Sequence, residues 1–320
     1  MAYKLDDKMV IGVSSRALFN LRKENEIFEK NGVDAYCEYQ IEHEEEPLNP
    51  GPGFMLIKSF LELNKINKNG PVCEVVIMSR NSPDTSMRVF NSIKYYGLDI
   101  TRAVLTSGAQ LSPYLKAFKV DLFLSAYHDD VKNALDNKIA AGIICTEETP
   151  VNMAFPDAQS ARDSRCEFPI RIAFDGDAVI FDSDSEAIYQ KEGLSAFEEN
   201  ERLNAHIPMK EGPFAPFLKK LNLLRNVTGG EESPIRCALV TARSAPAHER
   251  VIKTLRNWNV KLDEVFFLGG VEKKDFLKAF GAQIFFDDQK AHTSKASLVV
   301  PSALVPVGPC DEQEEILKII

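Results

Sequence analysis

The sequence predicts an α/β protein with mostly parallel, doubly wound sheets arranged in two related units. Short apolar runs bounded by turn-forming residues alternate with longer stretches of helical periodicity, an alternation typical of parallel sheets covered by helices. Similar segments also recur in the two halves of the chain at a nearly constant separation. A length of 320 residues fits about two domains.

The separation between the matching segments is 161 or 162 residues. The string IGVSSRAL begins at Ile11 and IAFDGDAV at Ile172, while LKAF occurs at residues 115–118 and 277–280. Such internal self-similarity predicts a repeated structural unit. We therefore expect an internal duplication, and the predicted parts are a first unit at 1–150, a linker at 151–168 and a second unit at 169–320.

In the first unit, a mostly helical insert is predicted at 20–64 and an amphipathic helix at 84–96. Short apolar runs predict its strands, at 9–13, 75–78, 103–106 and 121–124. Equivalent runs predict the strands of the second unit, at 172–174, 238–241, 264–268 and 283–286. The insert at about 183–227 is long enough to form a small helical cap over the edge of the second sheet.

The composition is that of an ordinary globular protein with an excess of acidic residues. A net charge of −9 argues against a nucleic-acid or anionic-membrane partner. The sequence contains neither an apolar run long enough to span a bilayer nor a targeting segment at its N-terminus. The six cysteines form no CxxC pair, so we expect free thiols and a cytoplasmic location.

Polar residues follow each predicted strand of the second unit. They are Asp175-Gly176-Asp177, Thr241-Ala-Arg243-Ser244, Lys273 at the start of a helix, and Asp287-Asp288. Parallel strands end at one edge of their sheet, where open α/β sheets bind ligands. We therefore expect these side chains to converge.

The first unit provides an internal comparison, because it lacks these charges at the matching positions. Asp175 and Asp177 are matched by Ser14 and Arg16, and Thr241 by Met78. The remaining pairs are Lys273 with Leu111 and Asp287-Asp288 with Ser125-Ala126. The fold does not require the charges, so a purely structural role explains them poorly.

The combination of side chains predicts phosphate chemistry. Mg²⁺ favours one or two carboxylates together with water and phosphate oxygens, and lysine provides a compact positive charge for phosphate. A carboxylate can attack a phosphate dianion only if cations such as Mg²⁺ and lysine offset the repulsion.

This set of motifs resembles the haloacid dehalogenase superfamily of phosphatases, whose motifs are Asp-x-Asp, Ser/Thr, Lys and an acidic pair. The strings IAFDGDAVIF, LVTARSA and IFFDDQ, with SSRALF and NPGPGF in the first unit, resemble the cytosolic 5'-nucleotidase type I family. The second resemblance covers nearly the whole chain. It implies a haloacid dehalogenase type of Rossmann-like fold and a cap that closes over the site.

The resemblance also implies roles for individual residues. Asp175 would be the nucleophile that forms an aspartyl-phosphate, and Asp177 the general acid and base, with its backbone carbonyl on the metal. Asp287 and Asp288 would complete the Mg²⁺ site. The phosphoryl group would be bound by Thr241 and Lys273, with Lys274 as an alternative to Lys273.

Other residues are weaker candidates for substrate binding. In the cap, Phe197 could stack on a base or simply pack in the core, and His206 and Lys210 could face the substrate or solvent. At the strand edge, Gly176, Arg243 and Ser244 are further candidates. Arg243 could meet phosphate or form an ion pair with the acidic edge. The other histidines, His292 among them, have no convergent partner that the sequence identifies.

We expect a Mg²⁺-dependent enzyme that hydrolyses nucleoside 5'-monophosphates, with AMP or a similar purine nucleotide implied by the resemblance. One alternative is a phosphatase for another phosphomonoester such as a sugar phosphate, and a second is a non-catalytic nucleotide-binding regulatory protein. The first unit would be a decayed copy that serves as a scaffold, an oligomer surface or an effector site. A homo-oligomer is left open.

Overall fold

The computed structural model describes residues 4–146 and 169–307, which form one mixed α/β structure around a ten-stranded sheet. The strands of the first half are β1 (Met9–Val13), β2 (Cys73–Ser79), β3 (Arg102–Leu105), β4 (Leu122–Ser125) and β5 (Ala140–Ile144). Those of the second half are β6 (Ile170–Phe174), β7 (Ile235–Thr241), β8 (Glu264–Phe267), β9 (Ile284–Asp287) and β10 (Ser302–Leu304).

Helices connect the strands in both halves. The first half contains α1 (Ser15–Leu18), α2 (Arg22–Glu42), α3 (Phe54–Ile66), α4 (Met87–Tyr95), α5 (Ser112–Ala117) and α6 (His128–Asp136). The second contains α7 (Asp184–Glu192), α8 (Leu194–Leu203), α9 (Ala215–Val227), α10 (His248–Asn257), α11 (Lys274–Phe280) and α12 (Lys290–Ser297). None of the helices in the described ranges is long and apolar enough to cross a membrane.

The predicted linker at 151–168 lies outside the described residues, and so do Cys166 and Cys310. The remaining four cysteines are free thiols. Two of them, Cys73 and Cys237, are buried.

The strand order is the same in the two halves of the sheet. The complete order is β3-β2-β1-β4-β5-β10-β9-β6-β7-β8, so each half, followed from its outer edge, runs third, second, first, fourth, fifth. Neighbours are parallel except β5 and β10, which pair antiparallel and join the halves into one sheet. The prediction of four strands per unit is wrong by one strand in each half, because these two short joining strands were missed.

The central strands are buried on both faces, as expected for a parallel sheet covered by helices. All residues of β1 and β2 are buried. In the second half, the ring of Phe174 stacks on that of Phe286 with 5.7 Å between centroids, and Phe214 of the insert lies 4.6 Å from Phe286. This packing fixes β6 beside β9, so the residues that end these strands are neighbours.

The sequence Gly-Pro occurs at 51–52 and at 212–213, and the structure explains both glycines. A Cβ on Gly51 would lie 2.8 Å from the carbonyl carbon of Phe19, and one on Gly212 would lie 2.3 Å from the carbonyl oxygen of Phe181. Each glycine follows a residue that forms an isolated β-bridge with that phenylalanine. Only glycine allows so close a backbone approach.

The sheet register corrects one of the predicted correspondences. In the first half, β2 begins at Cys73 opposite Met9, and in the second half β7 begins at Ile235 opposite Ile170. Because β2 and β7 both have seven residues, the last residue of β7, Thr241, corresponds to the last residue of β2, Ser79, rather than to Met78. A shift of one residue would place the side chain on the opposite face of the sheet. The other matched strand ends agree with the prediction, since β4 ends at Ser125 and β9 at Asp287.

Candidate active site

Three strand ends of the second half meet at the carboxyl edge of the sheet. Asp175 directly follows β6, Asp287 is the last residue of β9, and Thr241 is the last residue of β7. Since β6 separates β7 from β9 and the order reverses between β6 and β9, this edge is a topological switch point, where α/β sheets bind ligands.

Lys273 connects two of these strand ends through buried ion pairs. Its Nζ lies 2.9 Å from Oδ1 of Asp175 and 2.6 Å from Oδ2 of Asp287. Burial lowers the pKa of Lys273, but the two carboxylates outweigh that effect and raise it, so the lysine is charged. Lys274 is instead the first residue of α11 and is half-buried, which makes Lys273 the lysine of the cluster.

Asp288 completes a group of three carboxylates that can hold a cation. The oxygens of Asp175, Asp287 and Asp288 lie within 4.8 Å of one another. Burial, reinforced by the charge of Asp287, raises the pKa of Asp288 to about 7, and burial also raises that of Asp175. Three carboxylates and one lysine leave two negative charges when all are ionised, a donor set that suits a hard divalent cation such as Mg²⁺.

His292 is a member of the cluster that the sequence analysis did not find. Its Nδ1 lies 3.2 Å from Oδ2 of Asp287, and the backbone N–H of Gln289 donates to Oδ1 at 2.8 Å. The expectation that His292 has no convergent partner is therefore wrong. Burial raises the pKa of Asp287, but His292 and Lys273 outweigh burial and lower it. His292 lies in α12, the helix that directly follows the strand end at Asp287, and this short separation in sequence could have indicated the contact.

Asp177 is held by Arg243 through both carboxylate oxygens. Nε of Arg243 donates to Oδ2 at 2.8 Å and Nη2 to Oδ1 at 2.5 Å. The guanidinium also lies over the Phe197 ring, 5.2 Å from its centroid. Of the two alternatives for Arg243, the structure therefore shows the ion pair with the acidic edge.

Glu201, on α8, connects the helical insert to this ion pair. Its carboxylate is fully buried and accepts from Nη1 of Arg243, from Nη1 of Arg250 at 2.8 Å, and from Oγ of Ser185 at 2.8 Å. Burial lowers the pKa of Arg243, but Asp177 and Glu201 outweigh it and raise it further above its usual range. Neither Glu201 nor Arg250 is among the site residues predicted from the sequence.

The comparisons with known proteins agree with the strand-end cluster. A sequence profile of the family described as 5'-nucleotidase matches residues 1–312. Human cytosolic 5'-nucleotidase 1B is 35% identical over 303 residues, which cover 92% of this chain and 48% of the human protein. The chain belongs to the 5'-nucleotidase family.

This 5'-nucleotidase family member spans about half the length of the human relative. Among solved structures, histidinol dehydrogenase from Elizabethkingia anophelis aligns with 78% of this chain and 48% of its own, at 6% identity and a TM-score of 0.22. A similarity of that size carries no argument about fold or function.

The other predicted residues at the strand edge of this family member differ in exposure. Gly176 lies against Thr241, since a Cβ on the glycine would be 3.2 Å from the threonine Oγ1. Ser244 is exposed. The backbone N–H of Arg243 donates to Thr241 Oγ1 at 3.2 Å, so the hydroxyl proton of Thr241 is left to donate to a ligand.

The candidates in the insert differ in burial and in their contacts. Phe197 is 8% exposed and packs against Tyr189 as well as Arg243. His206 is exposed, and Lys210 forms an ion pair of 2.6 Å with Asp184 at the surface. Substrate binding by these three residues stays a prediction.

Proposed function

We propose that this chain is a Mg²⁺-dependent 5'-nucleotidase that hydrolyses nucleoside 5'-monophosphates, AMP-like in their base, to nucleoside and phosphate. The observation that carries the proposal is the position of Lys273 between Asp175 and Asp287, beside Asp288 and at the carboxyl edge of the sheet. Membership in the family and the named activity of the human relative support the proposal. The word cytosolic in the name of that relative supports a cytoplasmic location for this chain.

Asp175 is proposed as the nucleophile. One carboxylate oxygen attacks phosphorus, the new O–P bond forms as the ester P–O bond breaks, and an aspartyl-phosphate results. Lys273, 2.9 Å from Oδ1, orients the carboxylate and offsets the repulsion between it and the incoming phosphate. The Thr241 hydroxyl and Lys273 are placed to bind the phosphoryl oxygens.

Asp177 is proposed to protonate the leaving 5' oxygen and then to take a proton from the water that attacks the aspartyl-phosphate. The water oxygen bonds to phosphorus as the O–P bond to Asp175 breaks, which releases phosphate and restores the Asp175 carboxylate. Both oxygens of Asp177 are engaged by Arg243. Each oxygen keeps a second lone pair for the proton that Asp177 transfers, and Arg243 fixes the orientation of the carboxylate. Glu201 offers Arg243 a second carboxylate and keeps the guanidinium in place.

Asp175, Asp287 and Asp288 would hold Mg²⁺, together with the backbone carbonyl of Asp177. When bound, the ion supplies positive charge that neutralises the phosphate and stabilises the transition state. His292 and the N–H of Gln289 orient Asp287 through its carboxylate oxygens, a second layer of contacts that metal sites commonly use.

We further propose that the two halves arose by duplication and that the insert between β6 and β7 is a cap. The equal strand order, the β-bridges directly before Gly51 and Gly212, and the nearly constant separation between matching sequence segments support this proposal. The boundaries would be those of the two units, 1–150 and 169–320, and only the second carries the catalytic charges.

The test is phosphate release from a panel of nucleoside monophosphates and sugar phosphates, with Mg²⁺ or with EDTA. We expect release from nucleotides that needs Mg²⁺ and that disappears in Asp175→Asn. An exposed aspartate on α11 provides the control variant Asp275→Asn, which should retain activity. Release from sugar phosphates alone would contradict the nucleotidase assignment, and binding without turnover would indicate a regulatory protein.

A further inference from the structure

The first half of the sheet has a cavity at its own carboxyl edge. It measures about 500 Å³, within the usual size range of small-molecule sites. Its walls come from the residues after β1, β2, β3 and β4 and from α2, and they include Arg16, Phe28, Tyr36, Arg80 and Tyr127. The cavity therefore occupies the place in this half that the carboxylate cluster occupies in the other.

In each half, the helical segment between the first two strands is interrupted at a glycine. Gly32 interrupts α2 with φ 84° and ψ −176°, and Gly193 separates α7 from α8 with φ 83° and ψ −178°. A positive φ of this kind favours glycine. Phe28, before Gly32, and Val33, after it, both line the cavity, so both segments of α2 form part of its wall.

The chemistry at this edge of the first half is different. Arg16 stands at the position of Asp177, and Ser14 and Ser125 stand at those of Asp175 and Asp287. The three carboxylates that could hold a cation are thus replaced by two hydroxyls and the methyl group of Ala126, and a guanidinium stands in place of the Asp177 carboxylate. A ligand here would be bound without a metal.

The local charge favours one anionic group. Nε of Arg80 donates to Asp130 at 2.9 Å, so this pair is neutral overall. Arg16 lies over the Tyr127 ring, 5.2 Å from its centroid. Within residues 4–146 and 169–307, no carboxylate lies within ion-pair distance of Arg16. Its charge is left to meet an anion.

The remaining walls combine aromatic and aliphatic side chains with hydroxyl and amide groups and with Glu24, whose carboxylate is paired with Arg88 at 2.8 Å. Phe28 and Tyr127 are 47% and 39% exposed, and Val33 lies beside them in the cavity wall. The Tyr36 hydroxyl is fixed by amide groups, with 3.0 Å to Nε2 of Gln40 and 3.1 Å to Nδ2 of Asn81. Aromatic walls of this kind favour a flat ring system.

We propose that this cavity is a second ligand site, which binds a flat aromatic molecule carrying one anionic group and needs no metal. The inference does not depend on the proposed catalytic activity. Carboxylates and phosphates share the required charge, so the probes must include both.

Cys37 makes the site directly observable, because this half-buried free thiol lines the cavity. The Asp175→Asn chain in EDTA would be titrated with 2-naphthoate, 2-naphthyl phosphate and neutral 2-naphthamide. Calorimetry measures binding, and alkylation by iodoacetamide with peptide mass spectrometry measures protection of Cys37. Cys145, half-buried and outside the cavity wall, is the internal control.

We expect at least one anion to bind and to protect Cys37 but not Cys145, with naphthamide binding at least about tenfold more weakly. Protection by only one of the two anions identifies the anionic group. Arg16→Gln should weaken binding by about tenfold or more, whereas Lys132→Gln, which removes an exposed charge from α6, should not.

Three results would overturn the proposal. The first is that neither anion protects Cys37. The second is that naphthamide binds as tightly as the anions. The third is that Arg16→Gln, folded as judged by its unfolding temperature, binds like the wild type. The naphthamide comparison uses no change in the cavity, so the proposal can be refuted even if the Arg16 variant fails to fold.

Discussion

Replacing Glu201 by glutamine tests whether the helical insert stabilises the catalytic edge through one buried carboxylate. Glu201 is fully buried and accepts from two arginines. Glutamine has nearly the same shape and retains one acceptor oxygen, but it removes the negative charge. Arg243 would keep only Asp177 as its carboxylate partner, and Arg250 would lose its only ion pair within the described residues.

The expected cost follows from the burial of this network. Removing one partner of a buried ion pair typically costs about 3–5 kcal/mol of the free energy of unfolding. Because glutamine retains one acceptor oxygen, we expect Glu201→Gln to cost about 3 kcal/mol, the lower end of this range. With an unfolding entropy of about 2.1 cal/mol/K per residue, a chain of 320 residues loses about 1.5 °C for each kcal/mol, so the unfolding temperature should fall by roughly 4–5 °C. Phosphate release should fall about tenfold in kcat, since a loss of ~1.4 kcal/mol of transition-state stabilisation corresponds to that factor.

The assay is thermal unfolding together with steady-state phosphate release. Glu199→Gln is the matched control, because Glu199 lies on the same helix, is exposed, and among the described residues forms an ion pair with Arg202 alone, three residues along. Exposed pairs of this kind contribute little, so this variant should unfold and turn over like the wild type. Equal unfolding temperatures for the two variants would refute the stabilising role of Glu201.

Other properties follow from burial and charge at the same edge and elsewhere. In EDTA, stability should fall as pH rises from about 4 to about 7, because the pKa of Asp288 is raised from 3.8 to about 7, so the folded chain keeps a proton that the unfolded chain releases. Asp288→Asn should flatten a plot of unfolding temperature against pH, and an unchanged slope would contradict this cause. Lys273→Met should cost about 3–5 kcal/mol in chemical unfolding and abolish phosphate release, because two buried carboxylates lose their cation; a variant as stable as the wild type would argue against the ion pairs. Iodoacetamide should alkylate Cys37 faster than Cys237 in peptide mass spectrometry, because burial raises the pKa of the Cys237 thiol to about 12, and equal rates would contradict this.

The sequence was most informative where polar residues directly follow apolar strands. Asp175 and Asp287 stand out because charges at strand ends need a partner, and the structure brings Lys273 within 2.9 Å of the first and 2.6 Å of the second carboxylate. Local patterns were sufficient here, since a parallel sheet brings its strand ends to one edge.

The joining strands were not predicted because their pairing is non-local. The segment Ala140–Ile144 is short and lies near the end of the first unit, and Ser302–Leu304 has only three residues. Their antiparallel contact, Ala303 with Ile144, depends on how the two halves meet. Nothing in the local sequence of either segment indicates that arrangement.

The buried network around Glu201 could not be predicted for a related reason. A glutamate in the polar sequence FEENERL is typical of an exposed helix face. Only the packing of α8 against α10 brings Glu201 to Arg250, and only the turn after β7 brings Arg243 to it. His292 was missed because its contact with Asp287 depends on the angle at which α12 leaves the sheet.

The most direct test of the central claim is to identify the residue that becomes phosphorylated during turnover. The chain would be mixed with a nucleoside monophosphate and Mg²⁺, quenched rapidly in acid, and reduced with borohydride, which converts an aspartyl-phosphate to homoserine for peptide mass spectrometry. The account predicts homoserine at position 175 in the wild type, accumulating further in Asp177→Asn. Turnover with no modification at Asp175, or with phosphate on another residue, would contradict it.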